Sequence, residues 1–198
     1  MRIIDIRRLR GPNVHIGSPA VLARLDLEEL TGRETSDVAG FPERMMRALP
    51  GLTEHHCAAG VPGGFVSRMR GGTYFGHVTE HVCLELSQLI GRDISFGRTV
   101  SAGTPGRYDL ILECPADEAP ESALPAALLQ AAVDLVTGVL NSSRTAPDLT
   151  GLSESARTLA KSADATATMA IETAAMSRMP KVTARGLRRR TRSRVTTV

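Results

Sequence analysis

The run Gly76-His77-Val78-Thr79-Glu80-His81-Val82-Cys83-Leu84-Glu85-Leu86-Ser87-Gln88-Leu89 constrains this chain more than any other segment. At about 100° per residue on a helix, Val78, Val82, Leu86 and Leu89 share one sector, while His77, His81, Glu85 and Gln88 gather in the opposite one. The spacing predicts a helix over about 74–90, closed by Gly91, with its apolar sector on a core. The polar sector is chemically loaded. It holds two imidazoles one turn apart, close enough for both rings to reach one ion.

His77-Val78-Thr79-Glu80-His81 has the HxxEH order of the inverted zincins, in which the glutamate beside the second histidine serves as general base. The expected chemistry is a zinc ion held by His77 and His81, with Glu80 taking the proton from a water that attacks a carbonyl. That is hydrolysis of an amide. A third protein ligand is needed. Glu85 shares the face one turn beyond His81, and Glu113 on a later strand competes with it; the sequence leaves both open. Imidazole and carboxylate ligands also suit other divalent ions. The bland alternative is an ordinary polar helix face whose histidines bond to neighbours.

Around this segment the chain organises as a mixed α+β domain. Alternation in Arg2-Ile3-Ile4-Asp5-Ile6-Arg7 predicts a first strand, followed by a turn at Gly11-Pro12-Asn13. Residues 21–27 form a second strand candidate. Phe41, Met45, Met46 and Leu49 are helically spaced and stop at Pro50-Gly51. A shorter helix is expected over 53–58, then a loop at Gly60-Val61-Pro62-Gly63-Gly64. Residues 107–114 form a third strand, closed by Pro115, and Ala-rich helices are expected at 121–141 and about 150–178. The expected division is a domain over 1–142, a helical extension over 143–180 and a basic, disordered tail over 181–198.

Composition excludes several classes. With 42% hydrophobic and 23% charged residues, a packed core is expected. Aromatic residues make up only 3% and Trp is absent, so base-stacking platforms are not expected. No membrane span or signal segment is expected, and the chain reads as cytoplasmic. Cys57, Cys83 and Cys114 form no CxxC pair, which argues for reduced, buried thiols. The net charge of +3 is a property of the tail, which carries Lys181 and six arginines with no acid. Such an arm could neutralise phosphates, but a solvated terminus is favoured and a nucleic-acid partner is not expected.

Two weaker features remain. His55-His56-Cys57 resembles a ligand cluster, yet adjacent histidines on a short helix point about 100° apart, which favours packing. Arg98, in the glycine-rich connection after Gly91, offers a clamp for carboxylates. No GxxxxGK[ST] frame occurs, so no ATP site is expected.

Taken in order, Leu9-Arg10-Gly11-Pro12-Asn13, Arg24-Leu25-Asp26-Leu27-Glu28, His56-Cys57, Gly63-Gly64-Phe65, Gly72-Thr73-Tyr74, Gly76-His77 to Leu86, and Phe96-Gly97-Arg98-Thr99 resemble the amino-terminal domain of cyanophycin synthetases. The likeness is dense over about 1–114 and thinner to about 180. The family joins Asp and Arg into a branched polymer with an aspartate backbone, using ATP-grasp and Mur-ligase-like domains that do not occur in this sequence. The resemblance implies polymer binding by the amino-terminal domain and, in some members, slow zinc-dependent cutting of the polymer. It maps that chemistry onto His77, Glu80 and His81, with Arg98 and Arg10 available to hold carboxylates. The implied partners are cyanophycin or an Asp/Arg-rich peptide, and a separately encoded synthetase. The alternatives are a binding module without catalysis and an inactive remnant. The Arg/Thr-rich end reads as a truncation or altered frame.

Overall fold

The computed structural model describes residues 1–92, 94, 96–114 and 124–142. The expected helix at 150–178, the extension over 143–180 and the tail over 181–198 lie outside them. Within the described residues, a four-stranded antiparallel sheet carries helices on one face.

Strands β1 (Arg2–Leu9), β2 (Ala20–Asp26), β3 (Gly97–Ser101) and β4 (Arg107–Glu113) run in the spatial order β1-β2-β4-β3. β2 and β4 are central and nearly wholly buried, as their dense apolar residues require. Their register sets Arg24 opposite Asp109, where the guanidinium donates to both carboxylate oxygens at 2.7 and 2.9 Å. β1, at one edge, forms where the sequence indicates, but its burial does not alternate: Ile4 and Ile6 are both exposed, and its register slips between Ile3 and Asp5. β3, at the other edge, falls where the sequence indicates only a glycine-rich connection. The strand at 107–114 is therefore the fourth strand of the sheet.

Four helices accompany the sheet, α1 (Phe41–Ala48), α2 (Gly64–Gly71), α3 (Phe75–Leu89) and α4 (Leu124–Asn141); α3 packs on β3 and β4, α4 on β1, and α1 on α4 and α2. Val21, Ala23, Leu25, Leu110 and Leu112 from the sheet meet Phe41, Met45, Phe75, Val78, Val82 and the apolar stripe of α4 in one core. α4 is long and apolar enough to cross a membrane by length and composition, whereas the sequence leads to no such expectation. Here it packs on α3, α1 and β1, and Leu128, Leu129, Ala132, Val136 and Val139 are buried in the core.

The central helix departs from a two-sided amphipathic design. Val78, Val82 and Leu86 are buried as expected, but Leu89 is 43% exposed. Much of the polar sector is covered as well: His81 and Glu85 are buried, as is the adjacent Glu80, while Gln88 is exposed. The segment between α1 and α2 provides much of that cover. Instead of one helix over 53–58 it forms two 3-10 turns, Pro50–Glu54 and Cys57–Ala59. Gly60 and Gly63 take positive φ values of 67° and 78°, a conformation glycine adopts without strain. The resulting turn starts α2 and delivers Phe65 onto α3.

Candidate metal centre and groove

Three elements converge on the polar face of α3: the 50–59 turns, α2 and β3. Phe65, fully buried on α2, stacks on the His81 ring with centroids 3.8 Å apart and planes 18° off parallel. The same phenyl ring meets His77 edge-on at 5.6 Å. One aromatic residue thus fixes both imidazole planes.

Cys57 Sγ lies 3.4 Å from His77 Nε2. Ligand atoms of Cys57, His77 and His81 all fall within 4.8 Å of one another. A thiolate with two imidazoles is a donor set suited to zinc, with a fourth position left for water or substrate. Cys57 reaches this place at φ 54°, in the left-handed region that a side chain with a Cβ rarely takes and that tends to concentrate at functional sites.

The hydrogen bonds around the rings determine which nitrogens are free. Glu85 Oε2 faces His55 Nε2 at 3.1 Å, and His55 Nδ1 faces His81 Nδ1 at 2.9 Å. An ionised carboxylate only accepts, so His55 carries its proton on Nε2 and presents a lone pair at Nδ1. His81 then donates from Nδ1 and keeps a lone pair on Nε2. Thr73 Oγ1 sits 2.9 Å from His77 Nδ1, and accepting from that nitrogen leaves a lone pair on His77 Nε2. Outer partners of this kind orient metal-binding histidines. Burial, followed by the charges of His77 and His55, pushes His81 down to about 2. Burial and Arg68 lower His77 as well. Both rings are therefore neutral near pH 7, the form that binds metal.

Glu80 leaves the helix toward β3, where Thr99 Oγ1 donates to its Oε2 over 2.5 Å. Burial raises this carboxyl to about 7, and the Thr99 hydrogen bond opposes the rise. Gly97 makes room for it, because a Cβ there would lie 2.8 Å from Glu80 Cγ.

These groups line a groove of about 850 Å³ that also includes Glu54, His55, Glu85, Arg98 and Thr99. A second hollow of about 780 Å³ continues past Cys57, His77 and Thr99 to Arg68, Tyr74, Ser101 and Tyr108.

The structure sorts the residues singled out in the sequence. His77, Glu80, His81 and Arg98 come together in the groove. Glu85 lines it too, but its carboxylate is spent on His55 and it stands outside the Cys57–His77–His81 group. It meets the histidine pair by way of His55. Glu113 accepts from Ser18 Oγ at 2.6 Å and is not part of the groove. Arg10 follows β1, at the sheet edge opposite β3, and does not line the groove either. His55 and Cys57 stand in the sequence as a ligand-like run that a helix would splay apart, and Phe65 and Thr73 stand there only within the family resemblance; the structure brings all four to the histidine pair.

A family of cyanophycin synthase-like N-terminal domains matches residues 22–141. The chain is 45% identical over 115 residues to the cyanophycin synthetase of Synechocystis sp., covering 57% of this chain and 13% of that protein. It is 44% identical over 121 residues to that of Trichormus variabilis, covering 60% and 13%. With the cyanophycin synthetase of Geminocystis herdmanii, identity is 36% over 156 residues, covering 78% of this chain and 18% of the relative.

Proposed function

This chain belongs to the family of cyanophycin synthase-like N-terminal domains, and from that premise we propose that it binds an Asp/Arg polymer of the cyanophycin type in the groove beside α3. One observation carries this: Glu54 and Arg98, of opposite charge, line the same groove. A ligand whose units each bear a guanidinium and a carboxylate finds both opposite charges there. The synthetase activity in the relatives' names belongs to proteins of which this chain matches 13–18% of the length. Action beside a separately encoded synthetase is the partnership this reading favours.

A second reading, cleavage of an amide in the bound polymer, is favoured by the Cys57–His77–His81 group with Glu80 next to it. Cys57, His77 and His81 would hold a zinc ion, which would supply Lewis acidity and an acidified water. The chain's own residues do the rest. Glu80 Oε1, the oxygen not engaged by Thr99, takes the proton from the attacking water and returns it to the leaving nitrogen. Thr99 keeps the carboxylate in place during both transfers. Arg98 holds a carboxylate of the polymer, and Phe65 keeps the two imidazoles in their planes.

Sedimentation with insoluble cyanophycin tests the first reading: the wild-type chain should pellet with it, and failure to do so overturns polymer binding. Release of soluble fragments tests the second. Cleavage that stops in Glu80→Gln and after chelation supports it, whereas binding without fragments leaves a binding module.

A further inference from the structure

We propose that the free edge of β3 binds the polymer's main chain as an added strand, drawing an extended peptide past Glu80 and the histidine pair. The inference rests on the polymer binding proposed above and specifies which part of the polymer is read.

β3 is the last strand of the sheet and pairs with β4 alone among the described strands. The phase of its ladder follows from its two ends. Glu113 N donates to Phe96 O, and Ala102 N donates to Arg107 O. Both pairs fit the register that sets Arg98 opposite Ile111 and Val100 opposite Asp109. In an antiparallel pair, hydrogen-bonded residues alternate with residues whose main-chain groups face away. Arg98 and Val100 are therefore committed to β4, and the N–H and C=O groups of Gly97, Thr99 and Ser101 point off the open edge. Such a row is a template for another strand.

That edge lies against the candidate chemistry. Gly97 abuts Glu80 closely enough to exclude a Cβ, and Thr99 bonds to the Glu80 carboxylate. Thr99 also lines both hollows, one reaching Glu85 and Arg98 and the other reaching Arg68, Tyr74 and Tyr108. A strand laid on this edge spans both and passes Glu80 between them.

The occupant this geometry fits is an extended main chain carrying branches of mixed charge. Side groups alternate along a strand, so every second branch would turn to the helix side, where Glu54 and Arg68 line the two hollows. Main-chain recognition also suits a repetitive polymer, which has no sequence for side-chain pockets to read. A second copy of this chain could pair along the same edge, and the test must separate the two.

The probe is a soluble oligomer of α-linked aspartate with arginine amide-linked to each side chain, and the readout is amide hydrogen exchange. On binding, the amides of Gly97, Thr99 and Ser101 should slow, while those of Arg98 and Val100, already in the ladder, should change little. Ser101→Pro removes one outward donor from an edge strand without touching the β4 ladder. It should bind the oligomer about tenfold more weakly than Ser101→Ala, with circular dichroism confirming that both fold. Oligomer binding without slowed exchange at these three amides, or equal binding by the two folded variants, overturns strand addition and leaves polymer binding standing. No oligomer binding by the wild-type chain overturns both. Slowed exchange that rises with protein concentration alone assigns the edge to a second copy and overturns the peptide reading.

Discussion

Thr99 Oγ1 donates to Glu80 Oε2 over 2.5 Å, tying the outermost strand of the sheet to the middle of α3. This bond links the edge proposed to hold the polymer to the carboxylate proposed to act on it. Thr99→Val keeps the side-chain shape and deletes the donor, so it should cost about 1–2 kcal/mol in urea unfolding. Because the bond lowers the Glu80 pKa, the carboxyl titration, followed by carbon NMR in metal-stripped protein, should move up in the variant. An unchanged titration would show that the bond is not made in solution.

The Glu80 carboxyl is pushed from 4.5 up to about 7 by burial. The folded state therefore holds this proton more tightly than the unfolded state. The resulting stability is complete below about 4.5 and is lost as pH rises through about 7. In metal-stripped protein, wild type should lose about 2–3 kcal/mol relative to Glu80→Gln across that window. Parallel pH profiles for the two proteins would exclude the shift.

Metal content should depend on Cys57 as much as on the histidines. Elemental analysis is expected to find about one zinc per chain, lost in Cys57→Ala, His77→Ala and His81→Ala and kept in Glu80→Gln. Zinc should also slow alkylation of Cys57. Cys83, whose thiol burial pushes up to about 12, should stay unreactive with or without metal. Full zinc occupancy in Cys57→Ala would remove the thiolate from the ligand set.

Glu85 meets His55, and His55 meets His81. Glu85→Gln should weaken zinc binding by about 10–100-fold in chelator competition, with little change in the unfolding midpoint. Zinc affinity equal to wild type would rule out the Glu85–His55–His81 chain as an ordering device.

Phe65 couples the core to both imidazoles. Truncation to Ala empties a fully buried site and should cost about 3–5 kcal/mol in chemical denaturation. Phe65→Leu should recover much of the stability but not the stacking, so its zinc affinity should remain reduced. Wild-type zinc affinity in the folded Leu variant would show that stacking does not position His81.

Much of this architecture could be read from local sequence. The alternation of β1, the apolar density of β2 and β4, and the helical spacing of α1 and α3 each follow from a period that the backbone imposes over a few residues. The pairing of His77 with His81, and the position of Glu80 beside them, is likewise a helical consequence. Local reasoning ends where neighbours are distant in sequence. β3 is short and glycine-flanked, and only β4 supplies the partner that makes it a strand.

What the sequence determined by itself, then, is a helix bearing an HxxEH face within an α+β domain, because i and i+4 positions meet without help from the rest of the chain. The tertiary structure decided what faces that helix. It split 50–59 into two turns, and with the left-handed backbone at Cys57 this swung the thiol to His77 and His55 to His81. It seated Phe65 on the ring stack, and it set Glu85 against His55. Each of these depends on contacts between residues about 12 to 30 apart in the chain, which no local period encodes, and on packing that leaves a buried polar group only where a partner meets it.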